Sequence, residues 1–254
     1  MTLPKTPSFR LDGRRALVAG ASSGIGAACA VALAEQGAEV TLCARREPEL
    51  RALADEMRAM GLKADPLSLD ITDLAATEAA LAARPAFDVL VNSAGLARHS
   101  PAVDTTVEDY DAVTTLNVRA AYFLTRTVAK RLIAAGKPGS LINITSQMAH
   151  VGGVDRAVYS ATKHAVEGMT KSMAIEWGPR GIRVNTIAPT FIRTALTEQT
   201  FANPERAAWI ASKIKLGRVG EVEDIMGAVA FLASDAAALV TGTSLIVDGG
   251  WTAD

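Results

Sequence analysis

Arg15-Ala-Leu-Val-Ala-Gly20-Ala-Ser-Ser-Gly24-Ile-Gly26-Ala-Ala-Cys-Ala-Val-Ala-Leu-Ala34 is the stretch on which the reading of this 254-residue chain turns. From Ala16 to Ala34 it runs 19 residues without a charge, long enough for a membrane-spanning helix. Three glycines and two serines in its middle rule that out, because they would not sustain one continuous apolar helix. It divides instead into a buried strand at Ala16–Ala19, a tight turn, and a helix over Ile25–Gln36. The residues before it hold Pro4, Pro7 and scattered charges and lack a cleavable signal layout, so no membrane or targeting segment is expected.

The same alternation continues outward. Further strands are expected at Glu39–Cys43, Ala64–Leu69, Val89–Asn92, Ser140–Thr145, Arg183–Ile187 and Ser244–Val247. Helices are expected at Pro48–Met60, Thr72–Ala83, a long Val107–Ala135, Ala157–Trp177 and Val222–Ala233. Uninterrupted apolar strands between helices predict a parallel sheet covered on both faces, a single doubly wound α/β three-layer sandwich over residues 1–254. Residues 190–220 break the rhythm, with Pro204 and several polar side chains. They read as a lid or substrate-side insert at the carboxyl ends of the strands.

Composition sets limits. Hydrophobic residues make up 49% and charged ones 21%, enough for a core and too apolar for disorder. Lys+Arg is 26 against Asp+Glu 27, so no basic excess calls for a nucleic-acid or membrane-surface partner. The 48 alanines favour close helix packing. Cys29 and Cys43 sit in apolar segments and read as buried small hydrophobes in a reducing, cytoplasmic setting. His99, His150 and His164 have no metal-ligand spacing.

A glycine turn between strand and helix, here Gly-x3-Gly-x-Gly, lets the backbone approach a pyrophosphate at the positive end of the helix. Gly20, Ser22, Ser23, Gly24, Ile25 and Gly26 are therefore candidate dinucleotide contacts. Choice of cofactor shows at the end of the second strand. Selection of NAD places an acid there for the ribose 2′-hydroxyl, but this chain has Ala44 followed by Arg45 and Arg46. Arginine pairs with a 2′-phosphate, and Ser22 lies ready to add a hydroxyl, so NADP(H) is favoured over NAD(H); the alternative is a pair of solvated arginines opening a helix. Asp70, with Ile71 beside it, is placed either to bond an adenine edge or to cap the Thr72 turn. Asn92, Ala94 and Gly95 follow the fourth strand, where small residues permit close approach to the dinucleotide.

Tyr159 and Lys163, four residues apart on a helix, share one face. A tyrosine's ordinary pKa near 10 is too high for a base at neutral pH, and a nearby ammonium favours the phenolate. Ser146, at the end of the fifth strand, offers a hydroxyl to a substrate carbonyl. Asn117 is a mediocre helix former within the long helix, which points to a polar purpose.

These pieces in order, with Val184-Asn185, Pro189 and Val247-Asp248-Gly249-Gly250, resemble the short-chain dehydrogenase/reductase family over nearly the whole chain. The resemblance implies a Rossmann-type fold with a seven-stranded parallel sheet and interconversion of a secondary alcohol and a ketone. It implies that Tyr159 is the general acid or base and that Ser146 orients the substrate oxygen. Lys163 would bind the nicotinamide ribose and assist the tyrosine, and Asn117 would hold a relay water. Pro189, the Ile192 backbone and Thr194 would pass the nicotinamide carboxamide. Homotetramers paired through the long helices are common in the family. Ala19, Ser93 and Thr190 depart from its usual threonine, asparagine and glycine; the first two touch supporting hydrogen bonds, and Thr190 adds bulk near the nicotinamide.

Substrate contacts are expected from Met148, His150, Arg156 and Trp209 in addition to Ser146 and Tyr159. Their polarity favours a sugar, a polyol or a small hydroxy acid as the carbonyl or alcohol substrate. Two alternatives stand beside it. A 3-oxoacyl thioester reductase would need a basic docking face, for which Arg126, Lys130, Arg131 and Lys171 are available. A non-catalytic nucleotide sensor conflicts with the intact Ser146, Tyr159 and Lys163.

Overall fold

In the computed structural model, residues 2–195 and 197–253 are described; Met1, Asp254 and the insert's Leu196 lie outside the described residues. In chain order the elements are β1 (Arg15–Ala19), α1 (Gly24–Glu35), β2 (Glu39–Ala44), α2 (Glu47–Ala59), β3 (Ala64–Ser68), α3 (Leu74–Ala82) and β4 (Val89–Asn92). There follow α4 (Val107–Thr114), α5 (Ala121–Ala134), β5 (Gly139–Ile144), α6 (Ala157–Trp177) and β6 (Ile182–Pro189). The insert carries α7 (Glu198–Phe201) and α8 (Pro204–Lys213), and the chain closes with α9 (Glu223–Ala233) and β7 (Ser244–Val247). All seven expected strands are present.

The strands pair in parallel in the order β3-β2-β1-β4-β5-β6-β7. Strand order reverses between β1 and β4, and a crevice opens at such a point beyond the carboxyl ends of the strands. Alternate residues of each strand feed opposite faces. Ala16 and Val18 of β1 join Leu33, Leu50, Met57, Val229 and Leu232 in the layer of α1, α2 and α9. Leu17 and Ala19 join Leu81, Leu124, Leu132 and Met173 in the layer of α3, α5 and α6. Both faces are covered, which is why the stretch Ala16–Ala19 of β1 carries no charge. Cys29 and Cys43 are buried without a disulfide, and burial pushes their thiols up to about 12.

One expected element is corrected. Val107–Ala135 is not a single α-helix: Thr115–Ala120 forms a wide π turn between α4 and α5. Helical spacing cannot reveal one extra residue in a turn, and such turns gather at functional sites. The irregular 190–220 region is itself partly helical. Asn203 caps α8 by accepting from the Arg206 amide at 3.0 Å, with Pro204 at a first-turn position that needs no donor. A bridge between Ile192 and Gly220 closes the base of the insert. Among the described residues no helix is long and apolar enough to cross a membrane.

Candidate active site

A cleft of about 430 Å³ lies at the strand-order reversal, walled by the β1–α1 turn, the ends of β2 and β3, the loop after β4, and the insert. Gly20, with φ +78°, is where the turn passes the β4 loop: a Cβ there would lie 2.6 Å from the Ala94 nitrogen. A Cβ on Gly26 would lie 2.1 Å from the Gly20 carbonyl oxygen, so the helix can start against its own turn only with glycine at that position. We expect Gly20→Ala to cost about 1–3 kcal/mol from backbone conformation alone, with the overlap adding to it. Urea unfolding of the purified variant measures this.

The cleft brings together most of the expected cofactor residues: Gly20, Ser22, Ser23, Gly24, Ile25, Gly26, Arg45, Arg46, Asp70, Ile71, Ala94, Gly95 and Thr194. Arg46 is the arginine that faces the turn. Its guanidinium donates to Ser22 Oγ at 2.8 Å and Ser23 Oγ at 3.0 Å, while Glu49 approaches from behind at 3.5 Å. Arg45 lines the same end, and its positive charge acts on Asp70. No carboxylate stands at the end of β2. Glycine backbone for a pyrophosphate and two arginines with a serine for a phosphomonoester fit a phosphorylated dinucleotide.

Two expected contacts have side chains bonded within the protein. Asn92 is 3% exposed and spends its side chain inside the protein, donating to Asn143 Oδ1 at 3.1 Å and accepting from the Ala94 amide at 3.3 Å. It shapes the loop without facing the cleft. Asp70 Oδ1 accepts from the Thr72 amide at 2.9 Å and its hydroxyl at 2.7 Å, the capping arrangement, although the residue also lines the cleft. Burial raises the Asp70 pKa, but the two Thr72 bonds and the Arg45 charge outweigh it and hold the carboxyl below its usual range. Pro189 ends β6, and Ile192 is buried, its carbonyl accepting from the Thr197 hydroxyl at 2.7 Å. Thr194 rests over the glycine turn: a Cβ on Gly24 would meet its Cγ2 at 3.2 Å.

Beside Gly95 the cleft meets the chemical residues. A Cβ on Gly95 would be 3.7 Å from both Asn117 Oδ1 and Lys163 Nζ. Lys163 is 6% exposed; its ammonium donates to the Ile144 carbonyl at 3.0 Å and lies 5.5 Å from the centre of the Tyr159 ring. The π turn presents Asn117, 2% exposed, which accepts from the Leu96 amide at 2.8 Å and donates to the Leu96 carbonyl at 2.8 Å and Thr162 Oγ1 at 3.2 Å. Thr162 in turn donates to the Tyr159 carbonyl at 2.7 Å. The Asn117 side chain thus ties the β4 loop to α6. Ser146 Oγ accepts from the Met148 amide at 3.1 Å, which leaves its own proton to donate elsewhere.

Residues that sequence reasoning passed over complete the surroundings. Glu167, 7% exposed, is one turn beyond Lys163 on α6. It accepts from the hydroxyls of Thr145 at 2.7 Å, Thr186 at 2.8 Å and Ser244 at 3.1 Å, tying the end of β5, the middle of β6 and the start of β7 to α6. His150 joins this cluster through Ser244 at 2.9 Å rather than facing Tyr159. Met148 is buried, and Gln147 beside it is 1% exposed with neither amide atom bonded. Arg156 lies over the Phe191 ring at 5.9 Å, Phe191 stacks on Trp251 at 5.7 Å, and Trp251 meets Trp209 at 5.5 Å.

His99 packs edge-to-face on Tyr159 with ring centres 5.8 Å apart. Burial, helped by the positive charges of Arg156 and Arg206, pushes its pKa down to about 4. The ring is therefore neutral at physiological pH. Between pH 6.5 and 4 the unfolded chain takes up a proton that the folded site refuses, so this group removes stability as pH falls through that window. NMR titration of the His99 ring is expected to give a midpoint near 4.

Known proteins are similar to this chain over nearly its whole length. A family profile described as Enoyl-(Acyl carrier protein) reductase matches residues 20–252. D-erythrulose reductase of Gallus gallus is 41% identical over 96% of this chain and 98% of its own. Gluconate 5-dehydrogenase of Gluconobacter oxydans is 39% identical over 96% of each. The crystal structure of a gluconate 5-dehydrogenase from Burkholderia cenocepacia, in complex with NADP and tartrate, superimposes with a TM-score of 0.93 at 37% identity, covering 97% of this chain and 98% of that one. With a glycine-turn cleft that reaches Gly95 beside Lys163, and relatives matched along nearly their whole length, the chain belongs to the short-chain dehydrogenase/reductase family.

Proposed function

We propose that the protein is an NADP(H)-dependent oxidoreductase that interconverts a secondary alcohol and a ketone in a small polyhydroxylated substrate. The observation that carries this is the buried Lys163 ammonium, held between the Ile144 carbonyl and the Tyr159 ring and next to Gly95 of the glycine-turn cleft. The nicotinamide, when bound, supplies or accepts hydride. In reduction the Tyr159 hydroxyl gives its proton to the substrate oxygen, and in oxidation the phenolate takes it back. Ser146, whose oxygen is occupied by the Met148 amide, donates a hydrogen bond to the same substrate oxygen, keeping its proton, and orients it. Lys163 places positive charge beside the phenol and the cofactor ribose. Asn117 acts from behind, fixing the β4 loop against the helix that carries Tyr159.

Support for the sugar and polyol class comes from the named activities of the relatives and from the mixed polar and aromatic residues around Tyr159. Preference for NADP over NAD is supported by Arg46 and Ser22 in place of an acid. The thioester alternative draws less support: Arg126 is paired with Glu78 at 3.2 Å, and Arg131 is turned to the Arg84 carbonyl. Assembly as a cytoplasmic homotetramer through the long helices fits the exposed Val107, Tyr110, Tyr122 and Ile175 on α4, α5 and α6.

The test is a screen of purified protein with NADPH over ketoses and keto-acids, and with NADP+ over polyols and aldonates, alongside an acetoacetyl thioester. Turnover of polyhydroxylated compounds is expected. Turnover of the thioester alone would establish the other reading. Light scattering on the same sample measures the subunit number.

A further inference from the structure

Tyr159, Lys163 and Glu167 follow one another along α6 at helical spacing and so share one face. The second and third of them grip consecutive residues at the end of β5. Lys163 donates to the Ile144 carbonyl at 3.0 Å, and Glu167 Oε1 accepts from the Thr145 hydroxyl at 2.7 Å. The next residue in the chain is Ser146.

From Ser146 the backbone makes one short turn. The Ala149 amide donates to the Ser146 carbonyl at 2.8 Å, the His150 amide to the Gln147 carbonyl at 2.9 Å, and the Met148 amide to Ser146 Oγ at 3.1 Å. The turn ends at His150, whose Nε2 lies 2.9 Å from Ser244 Oγ and 3.8 Å from Glu167 Oε1. Ser244 gives its own hydrogen bond to Glu167 at 3.1 Å, so it accepts from His150 Nε2–H. The carboxylate thus reaches the residue before Ser146 directly and the end of its turn through one hydroxyl. From the sheet, the Thr186 hydroxyl lies 2.8 and 2.9 Å from the two carboxylate oxygens.

A carboxylate taken out of water is an unfavourable way to join strands, and β5, β6 and β7 already pair through their backbones. Backbone pairing leaves open how the Ser146 turn sits against α6. We infer that Glu167 is a positioning residue: its carboxylate clamps both ends of the turn that carries Ser146 and holds that serine in register with Tyr159 and Lys163. The inference rests on the oxidoreductase reading for what Ser146 does, and on the hydrogen bonds alone for how it is held.

The experiment measures single-turnover hydride transfer from bound NADPH to a carbonyl substrate found in the screen, in wild type, Thr145→Val, Glu167→Gln and Ser140→Ala. Thr145→Val keeps the branched shape and removes one bond to the carboxylate. It is expected to lower the rate constant about tenfold, and Glu167→Gln about 10–100-fold, the effect of misplacing a reacting group by about 1 Å. Thr145→Ser keeps the hydroxyl and should restore the rate. Kd for NADPH is expected to stay at the wild-type value in Thr145→Val. Ser140 carries a buried hydroxyl at the opposite end of β5, bonded to the Leu232 carbonyl at 2.7 Å. Ser140→Ala therefore loses a comparable bond and should leave the rate constant alone. A rate constant, unlike an amplitude, does not fall when part of the sample is unfolded.

Hydrogen exchange over residues 146–150, read by mass spectrometry, supplies a measure without turnover. The Met148 amide is protected by Ser146 Oγ, and its exchange should quicken in Glu167→Gln and Thr145→Val. Unchanged rate constants in both variants, or an equal loss in Ser140→Ala, overturn the role of Glu167. If no compound of the screen turns over, the oxidoreductase reading falls. The clamp is then supported by faster Met148 exchange in Glu167→Gln and overturned by exchange at the wild-type rate.

Discussion

Tyr159→Phe is expected to lower kcat by about 10²–10⁴-fold, the usual contribution of a positioned proton donor, with NADPH still bound. The variant keeps the ring that packs against His99 and lies beside the Lys163 ammonium, so its fold and its cofactor cleft are undisturbed. It removes only the oxygen that exchanges a proton with the substrate. Kd for NADPH from fluorescence titration and single-turnover rates measured on one preparation distinguish this loss from misfolding. Lys163 differs, because its ammonium also bonds the Ile144 carbonyl from a buried position. Lys163→Met should therefore disturb cofactor binding together with turnover. Unchanged turnover in Tyr159→Phe would falsify the assignment of Tyr159.

Arg46→Ala is expected to weaken NADPH binding by about 10–100-fold, the value of charge-assisted hydrogen bonds to one phosphate, and to leave NADH nearly unaffected. The guanidinium is already oriented by the hydroxyls of Ser22 and Ser23, so little side-chain freedom is lost when it meets a 2′-phosphate. Arg45→Ala should have a smaller effect, since its charge is shared with Asp70. Adding Ala44→Asp to Arg46→Ala places a carboxylate at the end of β2 and should turn the preference towards NADH. Kd values for both dinucleotides, measured at two salt concentrations, check this. A wild type that prefers NADH by kcat/KM contradicts the cofactor assignment.

Much of the fold was legible because the two faces of a buried parallel sheet leave a simple mark. Val18, Leu42 and Val91 are apolar whichever way they point, and every expected strand is found. The π turn at Thr115–Ala120 was not legible, because no spacing rule distinguishes one wide turn inside a long helix. Only the poor helix former Asn117 hinted at it. The orientation of Asn92 was not legible for a different reason. Its position after β4 is correct for the cleft, but which way a side chain turns there depends on Asn143 of the next strand. Arg46 and Ser22, 24 residues apart, could be proposed as partners from the β1–β2 pairing alone.

The uncharged run from Ala16 to Ala34 shows where the division falls. By itself the sequence determined that this run is strand, turn and helix, and that Tyr159 and Lys163 share one face of a helix. Local backbone freedom and helical spacing are properties of neighbouring residues, so they can be read in a line. Only the tertiary structure decided that Arg46 rather than Arg45 faces the turn, that Glu167 ties β5, β6 and β7 to α6, and that His99, Arg156 and Arg206 share a field around Tyr159. Those groups come from the β4 loop, the start of α6 and α8, and their electrostatics depends on distance through space, which sheet order and the seating of the insert determine.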